Sequence, residues 1–405
     1  FVWAVSHIAK SKITANFGQK PFKYSPPDGF QPLTTANTRP VKVISRPDQY
    51  VGISTWSGNN VDGRLIETSF EPDFVWQKRR DGSSNHNLYD TIRGAGKRLS
   101  SDSDGKEENQ ANPFLKTFEK NGFTVYNDAD INGSSGTHVA WCWKAGGSKN
   151  TFNVDDVGYA SAAAAGLDGG TITPTGASVG TKQGFSIIKY TGTGTAGTIS
   201  HGLLEQPTFV IIKDLKNNNS WAVQHVGTTL GTGLLKLNSV NTVDNSVASA
   251  LWNSTAPTSS VFSVGTSGDV NYTTNSAEYI TYLWHDVPGL QKFGQYQGNG
   301  SANGPYVELG FRPAVVIVKY AATSGSASWF IYDSERGKLN SNTSSLMPND
   351  TGVEQTSFAM DFLSNGFKLR YADTSGYTNY SAKYVYMAWA EAPSIDLYGG
   401  GANAR

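Results

Sequence analysis

The sequence predicts an all-β protein made of three tandem antiparallel β-sandwich repeats of lectin or jelly-roll type, joined by Gly/Pro-rich connecting segments. Three observations predict it. A pattern of four landmarks occurs three times in one order, aromatic residues make up 12% of the chain beside 44 glycines, and no long segment places apolar residues at helical spacing. Aromatic and β-branched side chains suit pleated surfaces, while Gly and Asn suit tight turns.

The first landmark is an aromatic residue that opens a polar turn: Trp56-Ser57-Gly58-Asn59, Tyr190-Thr191-Gly192-Thr193 and Tyr296-Gln297-Gly298-Asn299. The second, 16 or 17 residues on, is a proline followed by an apolar run that ends in lysine. Its copies are Pro72-Asp73-Phe74-Val75-Trp76-Gln77-Lys78, Pro207-Thr208-Phe209-Val210-Ile211-Ile212-Lys213 and Pro313-Ala314-Val315-Val316-Ile317-Val318-Lys319. Proline is tolerated at a strand start, where no ladder hydrogen bond is lost. The third landmark is Gly122-Phe123-Thr124-Val125, Val261-Phe262-Ser263-Val264 or Gly366-Phe367-Lys368-Leu369. The fourth is a closing aromatic strand whose tryptophan, Trp143, Trp284 or Trp389, falls 71, 77 or 76 residues after its proline. That repeated place assigns the three tryptophans to core or interdomain packing rather than to sugar stacking. A run such as Tyr384-Val385-Tyr386-Met387-Ala388-Trp389 has large residues on both faces, as expected of a strand covered by a second sheet or a neighbouring domain.

These landmarks divide the chain into the end of a preceding domain plus a linker (1–46), repeat 1 (47–147), an Ala/Gly/Thr-rich linker or arm (148–183), repeat 2 (184–290) and repeat 3 with a short C-terminal tail (291–405). Each repeat has about 100 residues, a size at which sandwiches fold alone. The arm has too few large apolar residues for its own core, so it is expected to pack on a neighbour. Residues 112–120 read as a short helix. The chain starts at Phe1 rather than Met, as expected of the C-terminal part of a longer polypeptide or of a processed product.

Composition excludes several function classes. Lys+Arg and Asp+Glu both total 33 and only 16% of residues are charged, against an electrostatic nucleic-acid binder, which needs a dense basic patch. A single cysteine, Cys142, rules out an intrachain disulfide and an all-cysteine zinc site. No apolar stretch approaches the 18 residues of a membrane span, so no membrane insertion is expected.

Several formal motifs read better as turns. Gly192-Thr193-Gly194-Thr195-Ala196-Gly197 matches GxGxxG, but a strand follows where a dinucleotide site needs a helix. Gly176-Ala177-Ser178-Val179-Gly180 matches the hydrolase elbow GxSxG, yet Pro174 precedes it and a strand follows. The six histidines form no HExxH pair and none recurs in all copies, so no metal, cofactor or catalytic residue is expected. Asp102-Ser103-Asp104-Gly105 lacks the remaining calcium ligands and reads as a solvated turn. Asp90 with Arg93 and Asp333 with Arg336 share the form Asp-x-x-Arg-Gly, where copy two has His225 and Gly227; they read as loop-fixing ion pairs, with ligand recognition as the alternative. The candidate binding residues are Asp373, Tyr377, Asn379 and Tyr380, in a Tyr/Ser/Gly/Asn-rich loop whose composition suits recognition.

The repeats, together with Asn16-Phe17-Gly18-Gln19-Lys20-Pro21-Phe22 and Pro26-Pro27-Asp28-Gly29-Phe30, resemble tail-associated virion proteins of marine tailed bacteriophages. In those proteins a domain similar to the SPRY sandwich precedes such a linker and repeated sandwiches follow. Repeat 1 carries the closest match, in Pro72-Asp73-Phe74-Val75-Trp76-Gln77-Lys78, Asp90-Thr91-Ile92-Arg93-Gly94 and Val139-Ala140-Trp141-Cys142-Trp143-Lys144-Ala145-Gly146-Gly147. The resemblance covers about residues 12–393 and implies that residues 1–10 are the last strand of a SPRY-like domain. It further implies a virion location and a tail fibre or host adhesin. The expected partners are other virion proteins, further copies of the chain, with a homotrimer favoured, and a host-surface glycan or protein. A rod of serial sandwiches is the architecture this reading expects. Head decoration or baseplate joining is the alternative within the class, and a glycan depolymerase the alternative outside it; the latter needs paired carboxylates across a groove.

Overall fold

The structure, a computed structural model, describes residues 43–395 and 401–402. The expected SPRY-like strand at 1–10 and the linker motifs up to residue 42 lie outside the described residues. Residues from Ile44 onward belong to one compact unit, and it is all-β with several antiparallel sheets.

Repeat 1 contains β1 (Val51–Ser57), β2 (Arg64–Glu67), β3 (Phe74–Arg79), β4 (Asn87–Asp90), β5 (Lys97–Ser100), β6 (Glu108–Asn109), β7 (Leu115–Glu119), β8 (Gly122–Val125) and β9 (Thr137–Trp143). The intervening arm supplies β10 (Phe152–Val154), β11 (Val157–Tyr159) and β12 (Gly176–Gly180). Repeat 2 has β13 (Phe185–Thr191), β14 (Gly197–Ser200), β15 (Phe209–Asp214), β16 (Ala222–His225), β17 (Leu235–Lys236), β18 (Val261–Val264) and β19 (Glu278–Trp284). Repeat 3 has β20 (Gln291–Gln297), β21 (Tyr306–Glu308), β22 (Pro313–Tyr320), β23 (Trp329–Asp333), β24 (Ser345–Leu346), β25 (Met360–Leu363), β26 (Gly366–Leu369) and β27 (Lys383–Ala390). The larger sheets share one order: β1-β9-β3-β4-β5, β13-β19-β15-β16-β17 and β20-β27-β22-β23-β24. A smaller sheet, β2-β8-β7, β14-β18 or β21-β26-β25, belongs to each repeat.

Side-chain alternation explains how the repeats assemble. On β3 and β9, Val75, Ala140 and Cys142 face the smaller sheet and form a private core with Trp56, Phe123 and Val125. The residues between them, Phe74, Trp76, Val139, Trp141 and Trp143, join a second core shared by all three repeats. Repeats 2 and 3 obey the same parity: Phe209, Ile211 and Trp284, and Val315, Ile317, Met387 and Trp389, enter the shared core. Their neighbours Val210 and Ile212, or Val316 and Val318, enter private ones. Each large sheet is therefore covered by its own small sheet on one face and by two other repeats on the other.

The three closing tryptophans meet at the centre of the shared core. Trp143, Trp284 and Trp389 form a triangle with ring centroids 6.4, 6.0 and 5.2 Å apart, each pair edge to face at 65–72°. Phe185 and Phe209 stack on Trp284 at 4.4 and 5.1 Å, and all three indoles are at most 2% exposed. The expectation of serial, independently folding sandwiches is thus corrected: the repeats close around one aromatic centre, and none has a complete core of its own.

The arm adds to repeat 2. β12 pairs antiparallel with β13, and β10 pairs parallel with β12, extending that sheet to eight strands. Phe152, Leu167, Ile172, Ala177 and Val179 of the arm pack into the private core of repeat 2. Small residues permit this close approach: a Cβ on Gly170 would lie 2.5 Å from the Thr198 carbonyl oxygen. The expected helix at 112–120 is instead β7, paired with β8 across a bulge between Leu115 and Thr117; Thr and Phe favour the pleat, and β8 offers a ladder that a helix would leave open. The only α-helix among the described residues, Ala248–Trp252, was not expected; its Leu251 and Trp252 plug the repeat 2 core.

The lysine that ends each Pro-apolar-Lys run is fully buried. Lys78 donates to its own hairpin at Arg79 O (2.7 Å) and to Thr351 O of repeat 3 (3.2 Å). Lys213 donates to Asn219 O (2.7 Å) and to Asp104 O of repeat 1 (2.9 Å). Lys319 donates to Ala327 O (2.5 Å) and Ser239 O of repeat 2 (3.3 Å). Each lysine thus stitches its repeat to the preceding one in a closed cycle. Burial pushes Lys78 and Lys213 down to about 8 and Lys319 to about 7. Below these values the lysines are charged in folded and unfolded chains alike. Between them and the ordinary lysine value near 10.5, the unfolded chain binds more protons, so stability rises with pH. The denaturation midpoint in urea is therefore expected to increase from pH 7 to pH 9, with a shallower slope in Lys319→Met; a midpoint that falls over this range contradicts the assignment.

Candidate functional site

The Asp-x-x-Arg pairs are internal latches. Asp90 and Arg93 are buried and joined at 2.5 Å, and Arg93 also donates to Leu88 O (3.0 Å). Tyr282 of repeat 2 donates its hydroxyl to Asp90 Oδ2 at 2.7 Å. In repeat 3, Asp333 and Arg336 are likewise joined at 2.5 Å, Arg336 donates to Ile331 O, and Trp141 of repeat 1 donates Nε1–H to Asp333 Oδ2 at 2.9 Å. Trp141, Tyr282 and Met387 occupy the same position, two residues before the closing tryptophan. Met387 has no proton to donate, and the seam it faces holds His225 in place of the aspartate. There Gly227 N–H donates to His225 Nδ1 (2.9 Å), which fixes the proton on Nε2 for donation to Tyr386 O (3.1 Å). The latch residue at each seam therefore matches its neighbour: Asp90 and Asp333 accept from Tyr282 and Trp141, and His225 donates to a backbone carbonyl. Burial lowers His225 to about 3, so it stays neutral.

The Asp102 turn is also structural rather than solvated. Asp102 accepts from Asn85 Nδ2 and His86 N, both at 2.7 Å. Trp221 of repeat 2 donates to Ser100 O and Ser103 O beside it (2.9 and 3.1 Å).

The Tyr/Ser/Gly/Asn loop of repeat 3 is the remaining candidate. Asp373 is 1% exposed, and its carboxylate accepts from five backbone amides: Ser375, Gly376, Thr378, Asn379 and Tyr380, at 2.7–3.1 Å. Asn379 is fully buried, accepts from Asn299 N (3.1 Å) and donates to Ser301 O (2.7 Å) and Tyr371 O (3.0 Å). Repeats 1 and 2 have the same device: Asn132 accepts from Asn59 N and donates to Val61 O, and Asn271 accepts from Thr193 N and donates to Thr195 O. The residue before each asparagine takes the first-landmark aromatic: Trp56 Nε1–H donates to Ile131 O, Tyr190 Oη–H to Val270 O and Tyr296 Oη–H to Thr378 O. Gly58, Gly192 and Gly298 are required next to it, because a Cβ there would lie 1.9–2.1 Å from a carbonyl oxygen of the same loop. Asp373 and Asn379 therefore have no free polar atoms for a ligand. They hold the loop.

Tyr377 and Tyr380 differ, being 38% and 42% exposed. Tyr377 leans on Phe358 at 4.6 Å and meets Phe330 edge to face at 6.2 Å, which together hold its ring in place. Sequence reasoning missed Tyr272, the counterpart of Tyr380, which is 47% exposed. The dipeptide Asn-Tyr, at 271–272 and again at 379–380 ahead of the closing strand, was the available signal.

Among the described residues no group of three or more His, Cys, Asp or Glu side chains is placed to hold a metal ion. Burial raises the Cys142 thiol far above its ordinary value, away from nucleophile chemistry at neutral pH. No described helix is long and apolar enough to cross a membrane. Comparison with curated proteins and with solved structures finds no match. One family model spans residues 46–393, all three repeats and the arm as a single unit, in keeping with their shared core. The chain therefore belongs to the DUF7483 family, a domain of unknown function.

Proposed function

We propose that this chain is a non-enzymatic bacteriophage virion protein, a tail-associated adhesin that contacts a host-surface glycan or protein through tyrosines on fixed loops. The observation that carries this reading is the exposure of Tyr377 and Tyr380 on a backbone pinned by the buried Asp373 carboxylate. Tyrosine offers a large contact area with few torsions to order, and a loop already fixed lowers the entropy lost on binding. The resemblance of repeat 1 to tail-associated proteins supplies the virion context. The threefold closure expected of three chains is present within one, so homotrimer contacts, in this reading, use surfaces outside the shared core. The outer edge of β1, unpaired among the described residues, favours a second reading, a protein that joins other virion proteins.

The test is binding of the purified chain to intact host cells, beside a Tyr377→Ala/Tyr380→Ala variant, with the supernatant assayed for released sugar. Saturable binding reduced at least about tenfold in the variant is expected, the scale of two lost aromatic anchors. Equal binding by the variant removes these tyrosines from the site. Released oligosaccharide overturns the non-enzymatic reading.

A further inference from the structure

We propose that the outer edge of β1 is a strand-acceptor site for an extended, lysine- or arginine-bearing segment of a partner protein. This inference is independent of the tyrosine loop.

Register identifies the outward main-chain groups of β1. β1, β13 and β20 pair with their closing strands identically: Val51, Phe185 and Gln291 lie opposite Trp143, Trp284 and Trp389. Equivalent residues thus point their main-chain groups the same way. In repeat 2 the outward groups are used, because β12 lies against β13 in a five-pair antiparallel ladder, Gly180↔Phe185 through Gly176↔Lys189. Thr175 N–H donates to Lys189 O at 2.7 Å, which identifies Lys189, Ile187 and Phe185 as the outward residues. Their counterparts in repeat 1 are Thr55, Ile53 and Val51, and there β1 is the terminal strand of its sheet among the described residues. In repeat 3 the position equivalent to Ile53 is occupied differently: Phe293 N–H donates to the Asp286 carboxylate at 3.0 Å. β1 lies beside a groove.

That groove follows the edge of the strand. Two connected hollows of about 510 and 520 Å³ run along β1, sharing Ile53, Ser54, Glu67 and Glu335. The far wall comes from repeat 3, at Ala314, Ser334 and Ala390. On β13 the equivalent edge takes a main chain with small side chains, Gly176-Ala177-Ser178-Val179-Gly180.

Charge selects the occupant. Glu67 and Glu335 set that charge, since Asp48 and Glu391, also in the wall, already hold Arg46 and Arg312. Glu335 lies 3.5 Å from Lys338 across exposed side chains, and no ion pair is formed by Glu67 among the described residues. Arg64, at one end, is held by Ser57 O and Asn132 Oδ1. Residues 43–405 carry 27 Lys+Arg against 32 Asp+Glu, which disfavours a second copy of the same body as occupant. An added strand gains affinity from main-chain hydrogen bonds and selectivity from flanking charge.

The probe is a fluorescein-labelled peptide with the β12 sequence Gly-Ala-Ser-Val-Gly between lysine pairs, compared by anisotropy at low salt with a glutamate-flanked version, using the full chain. Saturable binding is expected, about tenfold or more in favour of the lysine peptide. The Glu67→Lys/Glu335→Lys variant, whose folding is checked by its melting temperature, is expected to reverse that preference. Hydrogen exchange of Val51, Ile53 and Thr55 amides is expected to slow when the lysine peptide is bound. Equal affinity for both peptides, binding without slowing of these amides, or no binding by the folded chain overturns the proposal. Slow exchange at these amides in the free chain also overturns it, since another segment or a second copy then already fills the edge.

Discussion

Trp284→Ala is expected to lower the unfolding free energy by about 3–5 kcal/mol, the range for deleting a large aromatic from a core that cannot collapse around the void. The site qualifies because the indole contacts Phe185 and Phe209 of its own repeat, Phe74 and Trp143 of repeat 1 and Trp389 of repeat 3. A change in one repeat should therefore destabilise all of them. Differential scanning calorimetry on the full chain is expected to show the three-repeat transition moving to lower temperature as one event. If most of the heat were still absorbed at the wild-type temperature, the repeats would be independent and the shared core would not be energetically coupled.

The second large effect is at a latch. Arg336→Leu leaves the Asp333 carboxylate buried without its cation, and removing one partner of a buried pair typically costs about 3–5 kcal/mol. Trp141 N–H still donates to Asp333, so the carboxylate is kept in place but no longer neutralised. Urea denaturation of variant and wild type at neutral pH is expected to show that loss. A loss of less than about 1 kcal/mol, the scale of an exposed pair, would mean that the guanidinium acts through packing on Trp141, 5.2 Å away, rather than through charge.

Much of this architecture was legible in the sequence because strand periodicity and internal repetition are local signals. The four landmarks marked the first strand, the central strand, the small-sheet strand and the closing strand of every repeat. Alternation on 384–389 showed that both faces are covered, but periodicity does not say by what. The answer, one small sheet and two other repeats, lies in contacts between residues up to 274 positions apart. The arm at 148–183 was recognised as lacking a core, while its role as a sheet extension depended on an edge that the sequence does not display. At the candidate loop, tyrosine exposure was readable from the polar surroundings. The burial of Asp373 and Asn379 was not, because the same residue types serve either as ligand contacts or as backbone anchors. Comparing the three copies would have separated them, since Asn132, Asn271 and Asn379 recur in one role and Tyr377 does not.

The tryptophan triangle also sets a schedule for biosynthesis. Repeat 1 leaves the ribosome with Phe74, Trp76, Trp141 and Trp143 on a face that only later residues can cover. The partner Trp389 follows about 250 residues behind, or roughly 10–50 s at ordinary elongation rates. For that interval the nascent chain displays an aromatic, β-rich surface without its cover, the kind of surface that attracts chaperones and neighbouring nascent chains. Slowing translation within repeat 3 should therefore lower soluble yield more than slowing it within repeat 1.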